Sequence, residues 1–419
     1  MRAWYRNLDP LVLIAWLGLV VLGLAAIYSA TNGVAAEFSD FEPRENFDKQ
    51  VMWLGISLAG ILIALALPIR FFQVSGFPIY IVTVLLLLAA LAFGREVNGA
   101  KSWLYFGSIG LQVSELAKVG TILAVAQLVG IRRPKTMDIR FALMVVGLIL
   151  LPAVLIVLQN DTGTALVFFG LIPIALFWSG LELNLLLLMI APAVAGYFAI
   201  VSMPTAIVFS VLFTGFMWWK TRDRRIGVIT GLFTGGTAAV TTLAITTLLA
   251  PHQIQRVLAF TNPGAEEFRL GVGYHQVNSM AAIGSGGFSG KGFLQGTQTQ
   301  GGYVMEQSTD FIFSVIGEEF GFIGSMIVIG LFSLLLIRIV MLGANMKHPF
   351  GVMVAGGTAG VYLIHIFINM GMATSVLPVI GIPLPFLSYG GSALLANSAL
   401  LAIVLSLHLR RDDFSIYGY

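Results

Sequence analysis

Long apolar segments separated by short polar breaks run through almost the whole chain. Twelve of them are long enough to cross a bilayer, because a membrane helix needs about 20 apolar residues. The pattern predicts spans at 10–30, 50–68, 77–93, 113–130, 141–158, 163–180, 183–201, 203–219, 226–250, 311–338, 350–370 and 390–408. The breaks near 160 and 202 are very short, and an error there would reverse the sidedness of every later loop.

The composition agrees with this pattern. Of the 419 residues, 58% are hydrophobic and 10% are charged, whereas ordinary soluble domains have about 25% charged residues. This balance excludes a soluble globular protein and predicts one all-α polytopic membrane domain over residues 1–419. The chain has no cysteine, which excludes disulfides, thiolate nucleophiles and Cys-ligated metal sites.

Lysine and arginine concentrate in alternate loops, which predicts an orientation. The densest clusters, at 131–135 and 220–225, fall on the same side as both termini. Because cytoplasmic loops carry the excess of Lys and Arg, the N-terminus and the C-terminus are predicted to be cytoplasmic. The glycine-rich segment 251–310 is then a large extracytoplasmic loop, and we expect the chemistry on this outer face.

Ionisable residues at membrane depth are costly, so they are functional candidates. Glu115 and Lys118 stand at i and i+3 on one helical face, as a structural ion pair or as catalytic groups. Asp161 precedes Gly163, and it is either the N-cap of the next helix or part of irregular backbone that lines a wet cavity. The sequence leaves both alternatives open for each motif.

The densest acidic cluster stands where the long outer loop meets a predicted span. Asp310, Ser314 and Glu318 are spaced to share one helical face, and Glu306 and Glu319 add carboxylates nearby. An N-cap is the structural interpretation of Asp310. The functional interpretation is a general base, because acidic neighbours raise the proton affinity of a carboxylate.

The glycine-rich segment and the histidines do not match the patterns of a nucleotide site or a metal site. The segment 283–292 fails the Walker A pattern at Ser285 and Gly292, so no nucleotide site is predicted. Its glycines form either a tight surface loop or a nest of amides for a phosphate, with Arg256, Arg269 or Lys291 adding charge. The five histidines are scattered, and none is paired at metal-ligand spacing.

Several motifs together resemble the SEDS (FtsW/RodA/SpoVE) family of bacterial cell-wall polymerases. They are NGAKSW at 98–103, QVSELAK at 112–118, QNDTGTA at 159–165, the glycine-rich 273–300, STDFIFSVIGEEFG at 308–321 and LPVIGIPLPFLSYGGSA at 377–393. Pro383 in the last motif resembles the elongation-type version rather than the division-type one. Val113, Asn160 and Ser308 depart from the usual family residues. The family core has ten spans, so the two extra ones are assigned to an inserted helix pair at 203–250.

The resemblance implies an enzyme that polymerises lipid II into β-1,4 glycan strands during cell elongation and releases undecaprenyl pyrophosphate. It implies a multi-pass protein of the bacterial inner membrane. The implied partners are lipid II, the growing strand, a class B penicillin-binding protein and elongation-complex membrane proteins, without nucleic acid. The family's essential aspartate falls on Asp310, as the catalytic residue. The supporting polar cluster is Glu115, Lys118, Asp161, Glu306 and Glu318, and the candidate pyrophosphate ligands are Lys101, Arg256 and Lys291.

No metal site formed by the protein alone is predicted, although a divalent cation, Mg²⁺ or Mn²⁺, is compatible with the chemistry. Two alternative functions fit the same hydropathy pattern. A flippase for lipid-linked precursors would need polar residues continuous across the bilayer, whereas the predicted cluster lies toward the outer half. A non-catalytic scaffold for a transpeptidase would tolerate the loss of Asp310.

Overall fold

The computed structural model describes residues 8–33, 44–97, 99–107, 109–132, 138–245, 259–265, 268, 271 and 273–411. Its contacts divide the chain into two compact units, residues 1–179 with 278–419, and residues 180–277. The helices are α1 (Pro10–Asn32), α2 (Glu45–Ala66), α3 (Ile69–Phe93), α4 (Val113–Arg132), α5 (Ile139–Leu158), α6 (Thr162–Trp178), α7 (Leu183–Val201), α8 (Met203–Thr221), α9 (Arg224–Leu243), α10 (Tyr274–Ser285), α11 (Ile312–Glu319), α12 (Gly321–Ala344), α13 (Pro349–Ala373) and α14 (Gly391–Leu409).

Each of the twelve predicted apolar segments contains a long helix, which confirms the helical polytopic class. In the described part of the chain, ten helices are long and apolar enough to cross a membrane. The other two predicted spans are α6, a shorter apolar helix of 17 residues, and α8, which has 19 residues but is not among the ten. The short polar breaks are helix caps. Asp161 caps α6, Ser202 caps α8 and Asp223 caps α9, each by accepting a backbone N–H of the first turn.

A small antiparallel sheet between α3 and α4 is absent from the all-α prediction. Its strands are β1 (Arg95–Val97), β2 (Ala100–Phe106) and β3 (Ile109–Gln112), in that order. Gly99 and Gly107 have positive φ angles of 81° and 66° at the two turns, a conformation that favours glycine. Because β3 runs directly into α4, the sheet fixes the N-terminal end of that helix.

The predicted span 311–338 is wrong as a single helix, because α11 ends at Glu319 and α12 begins at Gly321. Gly321 has a φ of 65°. The glycine-rich loop packs onto this break, where the N–H of Lys291 donates to the Glu318 carbonyl (3.0 Å) and that of Phe322 donates to the Gly287 carbonyl (2.9 Å). A Cβ at Gly321 would lie 2.2 Å from the backbone nitrogen of Gly290, so the close approach requires glycine.

The centre of the first unit is formed by α4, α13 and α14, the most deeply buried of the spans. In the second unit α7, α8 and α9 pack through small buried residues, Ala199, Ala206 and Ala238. The helix pair predicted at 203–250 corresponds to α8 and α9, and residues 246–250 lie outside the described part. That this pair is an insertion stays a prediction.

Candidate functional site

A cavity of about 400 Å³ opens in the first unit, at the end where β2, β3 and the start of α6 meet. Two further segments complete its wall, the turn 306–310 that precedes α11 and the stretch 380–393, which runs from the connection after α13 into the first turn of α14. Three predicted site residues line it, Asp310, Asp161 and Glu306. Trp103 and Tyr389 add aromatic surface, and burial raises the pKa of the Tyr389 phenol, which therefore stays a hydrogen-bond donor.

Asp310 lies on the turn before α11. The helix begins at Ile312 with Phe311 at its N-cap, so the N-cap interpretation of Asp310 is wrong. The backbone of Asp310 is held at both polar groups: its N–H donates to the Glu306 carbonyl (3.0 Å), and its carbonyl accepts from Asn369 Nδ2 (2.8 Å). Asp310 therefore lines the cavity from a turn whose backbone is bonded on both sides.

Asp161 is both the N-cap of α6 and a cavity residue. Its Oδ1 accepts the N–H of Thr164 (3.0 Å), which is the capping bond. Its Oδ2 accepts from the Gln112 amide (3.1 Å) and the Ser114 hydroxyl (3.3 Å). The two interpretations of the motif are therefore compatible, since each concerns a different oxygen. Asn160, with a φ of 62°, provides the tight turn that presents this carboxylate.

Glu306 begins the turn that carries Asp310. It has a φ of 52°, and its carbonyl accepts the N–H groups of Thr309, Asp310 and Phe311. Its carboxylate accepts the Thr309 hydroxyl (3.0 Å). Glu306 and Asp310 thus lie on one compact turn at the cavity wall, so a negative potential is expected there.

Glu115 and Lys118 form the predicted ion pair, with 2.7 Å between Oε2 and Nζ, and both side chains are almost fully buried. Neither residue belongs to the cavity wall. Lys118 Nζ also lies 2.8 Å from His365 Nε2, and His365 Nδ1 lies 3.0 Å from the carbonyl of Pro383, a wall residue. His365 therefore links the pair to the cavity wall.

Glu318 lies apart from the cavity wall and anchors the glycine-rich loop. Its carboxylate accepts from Lys291 Nζ (2.7 Å), from the N–H groups of Gln298 and Thr299 (both 2.8 Å), and from the Ser285 hydroxyl (3.0 Å). Burial alone would raise the pKa of Glu318, but these hydrogen bonds outweigh it and lower the pKa to about 2. This carboxyl is therefore a fixed anion rather than a proton acceptor.

The candidate pyrophosphate ligands do not gather at the cavity. Lys291 is committed to Glu318, and the amides of Lys291 and Gly292 cap the carbonyls of Glu318 and Glu319, which favours the tight-loop interpretation. Lys101 is exposed on β2 and does not belong to the wall. Arg256 lies outside the described residues. None of the described residues that line the cavity is lysine or arginine.

Several site residues were missed by the sequence analysis because they are uncharged or isolated. Asn369 joins the turn at Asp310 to the Ile382 carbonyl (2.7 Å). Gln50 of α2 accepts the N–H of Gly390 and donates to the carbonyl of Ser388, both at 3.2 Å. Only the LPVIGIPLPFLSYGGSA motif signalled that this stretch matters, and it did not indicate which residues would hold it.

These features define a multi-pass membrane protein with a carboxylate-lined cavity where its helices end. The family model described as "Cell cycle protein", FtsW/RodA/SpoVE, matches residues 9–209 and 202–413. The chain belongs to this family. Similar relatives are peptidoglycan glycosyltransferase MrdB of Escherichia coli strain K12, 32% identical over 98% of this chain and 95% of the relative, and peptidoglycan glycosyltransferase RodA of Treponema pallidum, 31% identical over 97% and 98%.

Solved structures of similar proteins have the same fold. One reported as structural coordination of polymerization and crosslinking by a peptidoglycan synthase complex has a TM-score of 0.70 at 26% identity, covering 98% of this chain and 99% of that one. The crystal structure of the rod shape determining protein RodA of Thermus thermophilus has a TM-score of 0.62 at 25% identity, covering 96% and 97%. The likeness therefore extends over the whole architecture.

Proposed function

We propose that this chain polymerises lipid II into β-1,4-linked glycan strands on the outer face of the bacterial cytoplasmic membrane during cell elongation. It is a peptidoglycan glycosyltransferase, as are the named relatives that align with nearly all of it. The observation that carries the proposal is one cavity lined by three acidic residues, Asp310, Glu306 and Asp161. Carboxylates that face a common cavity suit the removal of a proton from a sugar hydroxyl.

In the proposed step, the 4-hydroxyl of an incoming GlcNAc attacks the anomeric carbon of MurNAc at the lipid-linked end of the strand. The new O4–C1 bond forms as the C1–pyrophosphate bond breaks, and undecaprenyl pyrophosphate leaves. An α-linked donor becomes a β-linked product, so the carbon is inverted. Asp310 takes the hydroxyl proton. The two bonds of its backbone, to Glu306 and Asn369, support this role because a general base must be held within hydrogen-bond reach.

The leaving pyrophosphate needs positive charge that the cavity wall lacks, because Lys118 is buried with Glu115. We assign this charge to a divalent cation, Mg²⁺ or Mn²⁺, that binds with the substrate. The described residues contain no cluster of three or more His, Asp or Glu side chains suited to hold an ion. Magnesium is commonly bound by one or two carboxylates together with substrate phosphates, and Glu306 on the cavity wall fits that requirement while Asp310 serves as the base.

The expected partner is a class B penicillin-binding protein that crosslinks the strands, within an elongation complex of membrane proteins. The structural likeness to a peptidoglycan synthase complex supports this assignment. Both termini are assigned to the cytoplasm, because the basic clusters at 131–135 and 220–225 then lie inside. The cavity and the loop 285–300 then lie on the outer face, where lipid II is presented.

The test uses the purified full chain with lipid II and Mg²⁺, and Asp310→Asn beside wild type. We expect wild type to form glycan strands and the variant to lose activity by about 10²-fold or more, the scale of general-base catalysis. Asp223→Asn is the matched control, because asparagine still caps a helix and Asp223 caps α9 in the other unit. Full activity of Asp310→Asn would overturn its role. Lipid translocation without polymer would indicate a flippase, and neither activity would indicate a scaffold.

A further inference from the structure

Two buried polar side chains of α13, His365 and Asn369, stand one helical turn apart and bond the same stretch of backbone. That stretch, residues 380–383, forms part of the cavity wall and is called the rim segment. His365 Nδ1 lies 3.0 Å from the Pro383 carbonyl, and Asn369 Nδ2 donates to the Ile382 carbonyl at 2.7 Å. Both side chains are at most 1% exposed, so water does not compete for these bonds.

The position of the His365 ring proton follows from its two partners. Lys118 Nζ lies 2.8 Å from His365 Nε2, and an ammonium group can only donate hydrogen bonds. Nε2 must therefore be the acceptor, which assigns the proton of the neutral ring to Nδ1. That is the tautomer in which Nδ1–H donates to Pro383. The ammonium, held by Glu115 at 2.7 Å, thus selects the form of His365 that bonds the rim segment.

The rim segment lies against the proposed base. Gly381 has a φ of 77°, and a Cβ built there would lie 3.2 Å from Asp310 Oδ2. Asn369 donates to the carbonyls of both Asp310 and Ile382, so the turn and the rim share one anchor. A shift of the rim segment would therefore change the space around the Asp310 carboxylate.

We propose that His365 is a positioning residue for the glycosyl transfer. It joins the buried Glu115–Lys118 pair to the rim segment and keeps that wall fixed opposite Asp310. The inference rests on the proposed function, because its main measurement is strand synthesis. In this proposal the Glu115–Lys118 pair orients the His365 ring and does not contact the substrate.

Three substitutions separate the two bonds of the ring. An asparagine amide can reach the place of Nδ1 and keep the bond to Pro383, whereas a glutamine amide can reach the place of Nε2 and keep an acceptor for Lys118. Phenylalanine keeps the aromatic volume and loses both bonds. We expect His365→Phe to lower kcat by about tenfold to hundredfold, the effect of a misplacement near 1 Å, with KM for lipid II changed less than about threefold. His365→Asn should stay closer to wild type than His365→Gln.

The matched control is His408→Phe, because His408 is a buried histidine of α14 that contacts Arg411 and does not line the cavity. Melting temperatures in detergent accompany each assay. Lower kcat in His365→Phe, with near wild-type rates for His365→Asn and His408→Phe, supports the inference. Equal kcat in all three His365 variants and wild type would overturn it, as would a lower kcat for His365→Asn than for His365→Gln. A wild-type chain that makes no strands would instead overturn the proposed function.

Discussion

Replacing Glu318 with glutamine tests whether one carboxylate holds the glycine-rich loop 285–300 in place. The change keeps the size of the side chain, removes its charge and leaves Lys291 without its ionic partner. Donors that now converge on two oxygens, including the backbone N–H groups of Gln298 and Thr299, would meet an amide that offers only one acceptor. The loop should therefore loosen where it meets the break between α11 and α12.

The magnitude follows from the pKa of Glu318, lowered to about 2 from its ordinary 4.5. A difference of one pKa unit corresponds to somewhat more than 1 kcal/mol, so the full shift corresponds to about 3 kcal/mol of folding free energy. Lys291 is 24% exposed, and water screens its share, so we expect about 2 to 3 kcal/mol at pH 7. A lowered pKa means stability that is present above pH 4.5 and lost as the pH falls toward 2.

The assay is thermal unfolding of the purified chain in detergent at pH 7 and at pH 3.5. At pH 3.5 wild type should already have lost about 40% of the free energy that the ionised Glu318 contributes. The difference in stability between wild type and Glu318→Gln should therefore be about 40% smaller at pH 3.5 than at pH 7. Glu182→Gln is the control, because Glu182 is exposed and makes no capping bond. An equal margin at both pH values would refute the reasoning, since the carboxylate would then not be the ionised anchor.

Three further outcomes are expected. Gly381→Ala should lower strand synthesis at least about tenfold, because its φ of 77° strains any side chain and the new methyl would crowd Asp310; unchanged kinetics would contradict this geometry. Asp9→Ala should lower the free energy of unfolding by about 1 to 2 kcal/mol, measured by thermal melting, because Asp9 caps α1 and pairs with Arg338; a wild-type melting temperature would refute it. Removing divalent cations with EDTA should stop strand synthesis without a change in melting temperature, and Mg²⁺ should restore it; full activity in EDTA would exclude the cation.

The positions of the helices could be predicted because their signal is local. Twenty apolar residues between polar breaks specify a span almost without reference to the rest of the chain. The break between α11 and α12 shows the limit of this reasoning. Residues 311–338 are apolar enough for one helix, but the chain breaks at Gly321, where the loop 286–292 packs against it. The sheet at 95–112 was missed because it is short and lies between two strong helical signals.

Some residues of the candidate site could likewise be predicted from the sequence, and others could not. Asp310 and Asp161 stand beside predicted helix starts and were identified from their charge. Glu318 seemed part of the same cluster from its spacing, but the turn before α11 and the bonds to the loop separate it from the cavity wall. His365 and Asn369 were not identified, because both bond backbone carbonyls, at residues 310 and 382–383, and a sequence does not indicate which carbonyls a distant side chain will reach.

The fixed loop between residues 285 and 300 has a consequence for engineering the protein. A connection of this kind is usually regarded as slack that accepts tags or fusions, because surface loops tolerate insertion. Here nearly every turn of the loop is bonded to α11, to the break or to Ser29 of α1. An epitope or fluorescent protein should therefore be placed at the exposed Arg222–Asp223 turn. An insertion at 285–300 would break the hydrogen bonds that hold the loop against α11 and the start of α12.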